Sequence, residues 1–325
     1  MKNDTIKTLF LALFLVFTIE NYSQTKKEVD TTKIAFIAYW AKGDNHKFKM
    51  VKSIERLKND KSIRNDSIVY DAFFKVLDST STSYKISWKY NCDILYSLNL
   101  PERLKKDKKS ITNIEVIYTT DETGMGVDIE NWKTISDIYT KVINDVKNNL
   151  TAEEEKIYTS VLDPMLNALS KKEGIEEYCA KELNLFHFPF GVEFDPEEEI
   201  TYDQIIPSPY SKEGLKAKTR VYFEDHNYKD SHCTFYSELN IDPDDSKKMI
   251  TSLFKNMGIK DEEIKKQIKK SKYEINDSNG FDYIYNPGVP MYIINTRRVE
   301  IDIKDQKETR IDTIEIEFVE QINTK

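Results

Sequence analysis

Residues 68–90, IVYDAFFKVLDSTSTSYKISWKY, carry the clearest structural pattern in the chain. The apolar residues that share one parity on its two arms are Ile68, Tyr70, Ala72, Phe74 and Val76, then Tyr84, Ile86, Trp88 and Tyr90. Because successive side chains of a strand point to opposite faces, this pattern predicts a β-hairpin with one buried, aromatic-rich face. We therefore expect a protein built on antiparallel sheet.

The composition sets limits on the class of protein. The chain has 325 residues, of which 39% are hydrophobic and 12% aromatic, enough for a sizeable core. Its net charge is −8. An acidic chain without a basic block is a poor candidate for binding the phosphate backbone, so no nucleic-acid partner is expected.

Residues 1–23 have the pattern of a signal peptide. Lys2 and Lys7 precede a twelve-residue apolar run, residues 8–19, and the small residue Ser23 stands in the polar stretch that follows. The run is too short to cross a bilayer comfortably. We expect an exported mature chain, periplasmic or extracellular, without a transmembrane segment. An uncleaved membrane anchor is the alternative.

The three cysteines are Cys92, Cys179 and Cys233. An odd number allows at most one disulfide, from three possible pairs, and leaves one thiol over. Buried free cysteines are the expected outcome, and their disulfide status stays open.

Strands and helices follow one another in blocks. Residues 33–40, 46–57, 111–120, 218–224, 232–241 and a long hairpin over 291–320 read as strands, and 59–66 as a polar turn. Helices are predicted over about 130–148, after the capping box of Thr151 and Glu154, over 175–183, after Asp242 and over 261–270. This order predicts an α+β fold. Its core would be a large curved, mainly antiparallel sheet, meander or half-barrel-like, with amphipathic helices packed on it. Residues 24–325 would form one domain, with two halves, 24–190 and 191–325, as the alternative.

Arg297 and Asn295 are candidate ligand-binding residues. Both share the parity of Ile293 and Val299 in the last hairpin, so a charge is predicted on an apolar face, where it needs a partner. That partner could be the carboxylate or phosphate head group of a ligand in a cavity. Alternatively, the strand is bulged there, or Arg297 pairs with a core Asp or Glu.

Residues 185–194, LFHFPFGVEF, are unusually aromatic. Phe186, Phe188 and Phe190 share a parity and are candidates for lining the mouth of an apolar ligand site, together with Trp88 from the first hairpin. The alternative is a buried strand that links the halves of the fold.

His226 and His232 are candidate metal ligands. If residues 227–231 form a hairpin loop, the two histidines are cross-strand neighbours within reach of one ion. The sequence offers no clear third ligand, and an exposed polar turn is the alternative.

No motif for catalysis is present. The chain lacks G-x-S-x-G, H-E-x-x-H, a Walker loop and C-x-x-C, so no catalytic residue is assigned and no cofactor is expected.

The residues 22–24 (YSQ), a composition rich in Lys, Asn and Ile, and the run 73–90 resemble uncharacterised exported proteins of Gram-negative bacteria with low-GC genomes. The resemblance implies export, and such proteins have no assigned activity that could be transferred to this chain. In outline, the expected sheet is also similar to periplasmic lipoprotein carriers, an analogy of fold alone.

Three functions remain. The first is an exported, non-enzymatic binding protein that holds an apolar or amphipathic small molecule in its curved sheet. The second is a structural component of the cell envelope that binds a protein partner. The third is a hydrolase of unrecognised family. The sequence indicates neither the ligand nor the oligomeric state.

Overall fold

The computed structural model describes residues 32–93, 95–96, 102–105, 111–179, 181–208, 211–256, 272–303 and 306–322. The strands are β1 (Ile34–Ala35), β2 (Asn45–Lys58), β3 (Lys61–Ser79), β4 (Ser83–Asp93), β5 (Ile111–Asp121), β6 (Asp128–Ile129), β7 (Glu193–Phe194), β8 (Ile200–Ser208), β9 (Ser211–Asn227), β10 (His232–Ile241), β11 (Lys272–Ile284), β12 (Val289–Ile303) and β13 (Gln306–Gln321). The helices are α1 (Glu102–Lys105), α2 (Trp132–Asn148), α3 (Ala152–Leu169), α4 (Lys172–Cys179), α5 (Lys181–His187) and α6 (Pro243–Asn256). The helix predicted over 261–270 lies outside the described residues.

Eleven strands form one curved, unclosed antiparallel sheet in the order β6-β5-β4-β3-β2-β13-β12-β11-β10-β9-β8. Strands account for 56% and helices for 22%, which confirms the predicted α+β fold with a large curved sheet. The order is a meander on each side of a seam where β2, near the N-terminus, pairs with β13, near the C-terminus. The two halves of the sequence therefore meet in the middle of the sheet.

The hairpin predicted at residues 68–90 is confirmed by β3 and β4. Phe74 lies opposite Trp88 in the register, and both side chains are buried. The polar turn predicted over 59–66 is wrong, because β3 already begins at Lys61. The turn consists of Asn59 and Asp60, which both have positive φ, as the two-residue turns that match strand twist require. Polar residues can extend this strand since its pairing with β2 comes from the backbone.

Three of the helix signals identified in the sequence are confirmed. The predicted 130–148 helix is α2, and Thr151 caps α3 by accepting a hydrogen bond from the Glu154 N–H while the Glu154 carboxylate accepts from the Thr151 N–H. Asp242 caps α6 by accepting from the N–H groups of Asp244 and Asp245. The single helix expected over 175–183 is instead divided between α4 and α5.

Two inner segments, residues 34–40 and 186–194, lie against the buried face of the sheet. Residues 33–40 were predicted as a strand, and a buried strand was one of the two interpretations of residues 185–194. Both strand assignments are wrong for most of their length. Only Ile34–Ala35 pairs in a ladder, with Glu193–Phe194, and residues 185–187 belong to α5. The spacing of Phe186 and Phe190 fits one face of a strand and also one face of a helical turn, so it does not distinguish the two.

The buried face of the sheet is concave, as the contacts of Phe186 show. Its ring packs 5.7 Å from the ring of Trp88 on β4, and its carbonyl accepts a hydrogen bond from the Tyr283 hydroxyl on β11. Five strand spacings separate β4 from β11, roughly 24 Å across a flat sheet. One residue can contact both strands only because the sheet curves around it.

The inner segments fill this part of the concave face with aromatic side chains. Phe186 stacks on Phe74 with ring centroids 5.2 Å apart, and Phe190 packs edge-on against Trp40 at 5.1 Å. Phe188 stacks on Phe281 at 5.0 Å. The aromatic core is therefore built from the protein's own residues.

The polar tips of buried aromatic residues bind the backbone of the inner segments. The Tyr84 hydroxyl donates to the Ala38 carbonyl at 2.8 Å, and the Trp40 indole N–H donates to the Gly288 carbonyl at 3.0 Å. Irregular buried backbone needs such partners, because an unpaired polar group costs free energy in the interior.

Two glycines make room for Phe190. A Cβ atom at Gly288 would lie 2.8 Å from the Phe190 ring, and one at Gly124 would lie 3.0 Å from it. Both glycines also have positive φ, 93° and 88°, which other residues adopt at a cost. The fit of the inner segments thus depends on loops at the end of the sheet.

We predict that Phe186→Ala lowers the free energy of unfolding by about 3–5 kcal/mol, because it removes a fully buried ring and leaves a cavity. Urea denaturation followed by fluorescence measures this change. Val69→Thr, at an exposed position of β3, is the control, with an expected change of about 0.5 kcal/mol or less. Equal effects of the two substitutions would contradict the packing described above.

Candidate functional site

The concave face changes from apolar to charged partway along the strands. On β12, Ile293 is fully buried, and Asn295 and Arg297 follow it on the same face because alternate residues of a strand share a face. The neighbouring strands change in the same way. We call this surface the charged floor. It comprises Lys52, Arg56, Arg64, Asp66, Asp277, Asn279, Asn295, Arg297, Arg310 and Asp312.

Arg297 lies in the middle of the charged floor between two aspartates. Asp277 on β11 and Asp312 on β13 are its cross-strand neighbours. The guanidinium Nε and Nη2 donate to the two carboxylate oxygens of Asp277 at 2.7 and 2.6 Å, a side-on bidentate pair. The hydrogen bond with Asp277 raises the pKa of Arg297. The Arg297 side chain remains 47% exposed, so one side of it is open to solvent.

Three further ion pairs connect the floor. Arg310 donates to Asp312 two residues along β13, with Nε 2.8 Å from the nearer carboxylate oxygen. Arg64 pairs in the same way with Asp66 on β3. Lys52 pairs with Glu182, which belongs to α5 and is 9% exposed. Helix α5 is thereby connected to the floor by its first turn.

Lys181 is a cation of this region that has no carboxylate partner in the part of the chain that the structure describes. It opens α5, the helix that contacts β12. Burial lowers the pKa of its ammonium group, and the positive charge of Arg297 lowers it further. Asp277 and Asp312 act in the opposite direction through their negative charge. Lys181 and Arg297 thus carry like charges on two elements that contact each other, α5 and β12.

Asn295 precedes Arg297 by two residues on the same face of β12 and is 5% exposed. Its side-chain NH₂ donates to the side-chain oxygen Oδ1 of Asn279 at 2.6 Å, whereas its own side-chain oxygen accepts no hydrogen bond within the described structure. A buried acceptor without a donor costs free energy. The floor therefore contains polar groups whose bonding capacity is not used by the protein.

Arg56 extends the floor toward its outer end. The register places it directly opposite Arg310 on β13 and opposite Arg64 on β3. Among the described residues, Arg56 has no ion pair with a carboxylate. Side chains directly opposite on neighbouring strands are close, and like charges there are destabilising.

The charged floor and the first turn of α5 together carry a local positive charge. Six cationic and four acidic side chains give this surface a net charge of +2, whereas the whole chain has −8. A positive concave surface on an acidic protein favours anions over cations as ligands.

The predicted ligand residues divide between the two parts of the concave face. Arg297 and Asn295 lie together on the charged floor. Trp88, Phe186 and Phe190 lie in the aromatic core, and none is more than 2% exposed. Phe188 is half-buried at its edge. Whether any of these residues contacts a ligand stays a prediction.

His226 and His232 are not brought together. The register pairs His232 with Asn227 and His226 with Cys233, so the two histidines are offset by one position and point to opposite faces. His232 instead pairs with Asp282 at 2.6 Å, and His226 lies 3.9 Å from Glu197. Among the described residues, no group of three His, Cys, Asp or Glu side chains is placed to hold a metal ion.

Two other reactive side chains, those of His187 and Cys233, are buried. The imidazole of His187 lies between the Tyr118 hydroxyl, 2.9 Å from Nε2, and the Gly124 carbonyl, 2.8 Å from Nδ1. Burial lowers the pKa of His187 to about 4. Cys233 is a free, buried thiol, and burial raises its pKa to about 12. The side chains of Cys92 and Cys179 are outside the described structure.

Sequence reasoning identified Arg297 and Asn295 but missed Arg56, Arg310 and Lys181. The sequence did not indicate the cross-strand register that brings these residues together. The prediction of a hairpin over 291–320 did not specify that Arg297 pairs with Asp312. Arg56 shares the parity of Met50 and Ile54 in the sequence, and this shared parity is the signal that could have placed it on the inner face.

Comparison with known proteins gives no family. No protein-family model and no curated protein matches the chain. Ail, the attachment invasion locus protein of Yersinia pestis, aligns with 86% of this chain and 99% of its own at 4% identity, with a TM-score of 0.14. So low a score supports no conclusion about fold or function. In the described residues, no helix has the length and apolar character needed to cross a membrane.

We predict that His187 makes stability depend on pH below neutrality. Its pKa is about 4 in the folded chain and 6.5 ordinarily. As the pH falls, the unfolded chain therefore takes up the proton before the folded chain does. The stabilisation of the folded chain by neutral His187 is complete above pH 6.5 and is lost as pH falls toward 4. The size of the effect is roughly 3 kcal/mol.

Urea denaturation between pH 4 and 8 measures this dependence. In His187→Gln the slope between pH 4 and 6.5 should be shallower than in the natural chain. Tyr118→Phe removes the hydroxyl partner and keeps the imidazole, so its slope should persist. Parallel pH profiles for the natural chain and His187→Gln would refute the assignment.

Proposed function

We propose that this chain is an exported, non-enzymatic binding protein that holds the anionic group of a small, amphipathic or polar ligand on the charged floor. The observation that carries the proposal is the net charge of +2 on this surface, with Lys181 lacking a carboxylate partner within the described residues. An anion between Lys181 and Arg297 would relieve their repulsion. Export rests on the signal-peptide pattern of residues 1–23.

The aromatic core argues for a polar rather than a purely apolar ligand. The apolar part of the concave face is occupied by Trp40, Phe186 and Phe190 from the inner segments. A ligand tail would have to lie along the edge of this core, near the half-buried Phe188. The head group, and not the tail, is then the main source of affinity.

Binding is favoured over catalysis by the state of the reactive side chains. His187 has both ring nitrogens engaged and is buried, and the Cys233 thiol has its pKa raised to about 12. Neither group is placed for acid–base or nucleophilic chemistry at neutral pH. The ion pairs of the floor are suited to holding charge.

Arg297→Gln should weaken the binding of dodecyl phosphate by about 10- to 100-fold, the value of one charge-assisted contact. Isothermal titration calorimetry measures this, with dodecanol as the neutral head-group comparison. Arg298→Gln is the matched control, because Arg298 lies on the opposite face of β12 and pairs with Glu300. In Arg297→Gln the Asp277 carboxylate loses its partner and could itself repel the anion. The double variant Arg297→Gln/Asp277→Asn removes this charge and so tests whether the loss of affinity comes from Asp277.

Two results would overturn the proposal. Dodecanol could bind as tightly as dodecyl phosphate, or the Arg298→Gln and Arg297→Gln variants could lose affinity equally. Raising the salt concentration should weaken binding in the natural chain, since exposed charges are screened.

Lys181 should make anion binding sensitive to alkaline pH. Its pKa is lowered by burial and by Arg297, while Glu182, Asp277 and Asp312 also face it and partly oppose the shift. The ammonium group therefore loses its proton at lower pH than an ordinary lysine, and affinity should fall as it does. Lys181→Arg keeps its charge at these pH values, so this variant should retain affinity. Identical pH profiles would show that Lys181 does not contribute.

A further inference from the structure

Three arginines stand in one cross-strand row at the outer end of the charged floor. Arg56 is in the centre on β2, with Arg64 directly opposite on β3 and Arg310 directly opposite on β13. We call these the arginine row. Cβ atoms of such pairs are about 4.5–5.5 Å apart, and like charges at this spacing are destabilising. The row has a cost for the free protein that a bound anion would remove.

The aspartates nearby neutralise only the outer two arginines. Two residues along the same three strands, the next row of the floor consists of Asp66 on β3, Ile54 on β2 and Asp312 on β13. Arg64 pairs with Asp66 and Arg310 with Asp312, each two residues along its own strand. The position equivalent to these aspartates on β2 is Ile54, which is 5% exposed. Arg56 is thereby left with one positive charge that no described carboxylate neutralises.

We infer that the arginine row is a second anion-binding position and that the charged floor takes a ligand carrying two linked phosphate groups. One phosphate lies at Lys181 and Arg297, and the other lies at Arg56. This inference rests on the proposed function, because it uses the same floor. Arginine suits the second position, since its planar guanidinium can bind phosphate through two hydrogen bonds.

The spacing of the two positions fits one ligand. Arg297 lies level with Ile54, two strands away and two residues along β2 from Arg56. The Cβ atoms of Arg297 and Arg56 are therefore about 12 Å apart, and long side chains shorten this gap from both ends. A single phosphate is too small to contact both positions at once, whereas two linked phosphates can reach both.

Calorimetry with pyrophosphate and orthophosphate tests this inference on the full chain. The natural chain should bind pyrophosphate at least about tenfold more tightly than orthophosphate, the value of one additional charge-assisted contact. Arg56→Gln should abolish this preference and leave orthophosphate affinity unchanged. Arg297→Gln should weaken both anions. Arg298→Gln, on the opposite face, should change neither.

Farnesyl diphosphate and pyrophosphate together distinguish a lipid-linked from a free diphosphate. Tighter binding of the farnesyl compound indicates a lipid-linked ligand, and equal binding indicates a free one. Both outcomes support two phosphate positions.

Thermal unfolding in phosphate-free buffer provides a second readout. Arg56→Gln should have an equal or higher Tm than the natural chain, because it relieves repulsion in the row. It should also lose the additional increase in Tm that pyrophosphate gives over orthophosphate. A lower Tm without any anion would show that Arg56 stabilises the free protein, and this would overturn the inference.

The inference and the proposed function fail in different ways. Equal affinity of the natural chain for the two anions, with Arg297→Gln weakening both, overturns the two-phosphate site and leaves anion binding intact. Absence of binding for pyrophosphate, orthophosphate and dodecyl phosphate overturns both.

Discussion

The pairing of β2 with β13 is the contact on which the rest of the structure depends. It joins a strand from the first fifth of the chain to the last strand, and it turns two separate meanders into one eleven-stranded sheet. Both parts of the concave face are continuous across this seam. The same pairing sets Ile316 beside Met50 in the aromatic core and Arg310 beside Arg56 on the charged floor. Without it neither the core nor the floor would exist as a unit.

Curvature follows from what the concave face encloses. The inner segments bring large rings into the sheet, and strands as far apart as β4 and β11 close around Phe186. Burial of these rings supplies the hydrophobic stabilisation, and hydroxyl and indole groups such as those of Tyr84 and Trp40 satisfy the irregular backbone. The core thus occupies the volume that a curved sheet would otherwise offer to an apolar ligand.

The charged floor is the part of the concave face that the core does not cover. Its ion pairs hold Arg297 and its neighbours in place, while Lys181 and Arg56 bring charge that the described residues do not balance. A surface built only for stability would match its charges, since each unmatched charge near a low-dielectric core has a cost. This imbalance is the physical reason why we propose a binding role for the floor.

The sequence by itself determined the elements with strong local signals. Alternation specified the hairpin at residues 68–90, and capping residues such as Thr151 and Asp242 specified helix starts, because these signals depend on neighbours in the chain. Parity also placed Arg297 on the inner face. The tertiary structure alone decided that residues 34–40 and 186–194 would enter the sheet and that β2 would meet β13. Cross-strand register between distant segments leaves no local pattern, so the alignment of arginines and aspartates on the floor is visible only in the folded chain.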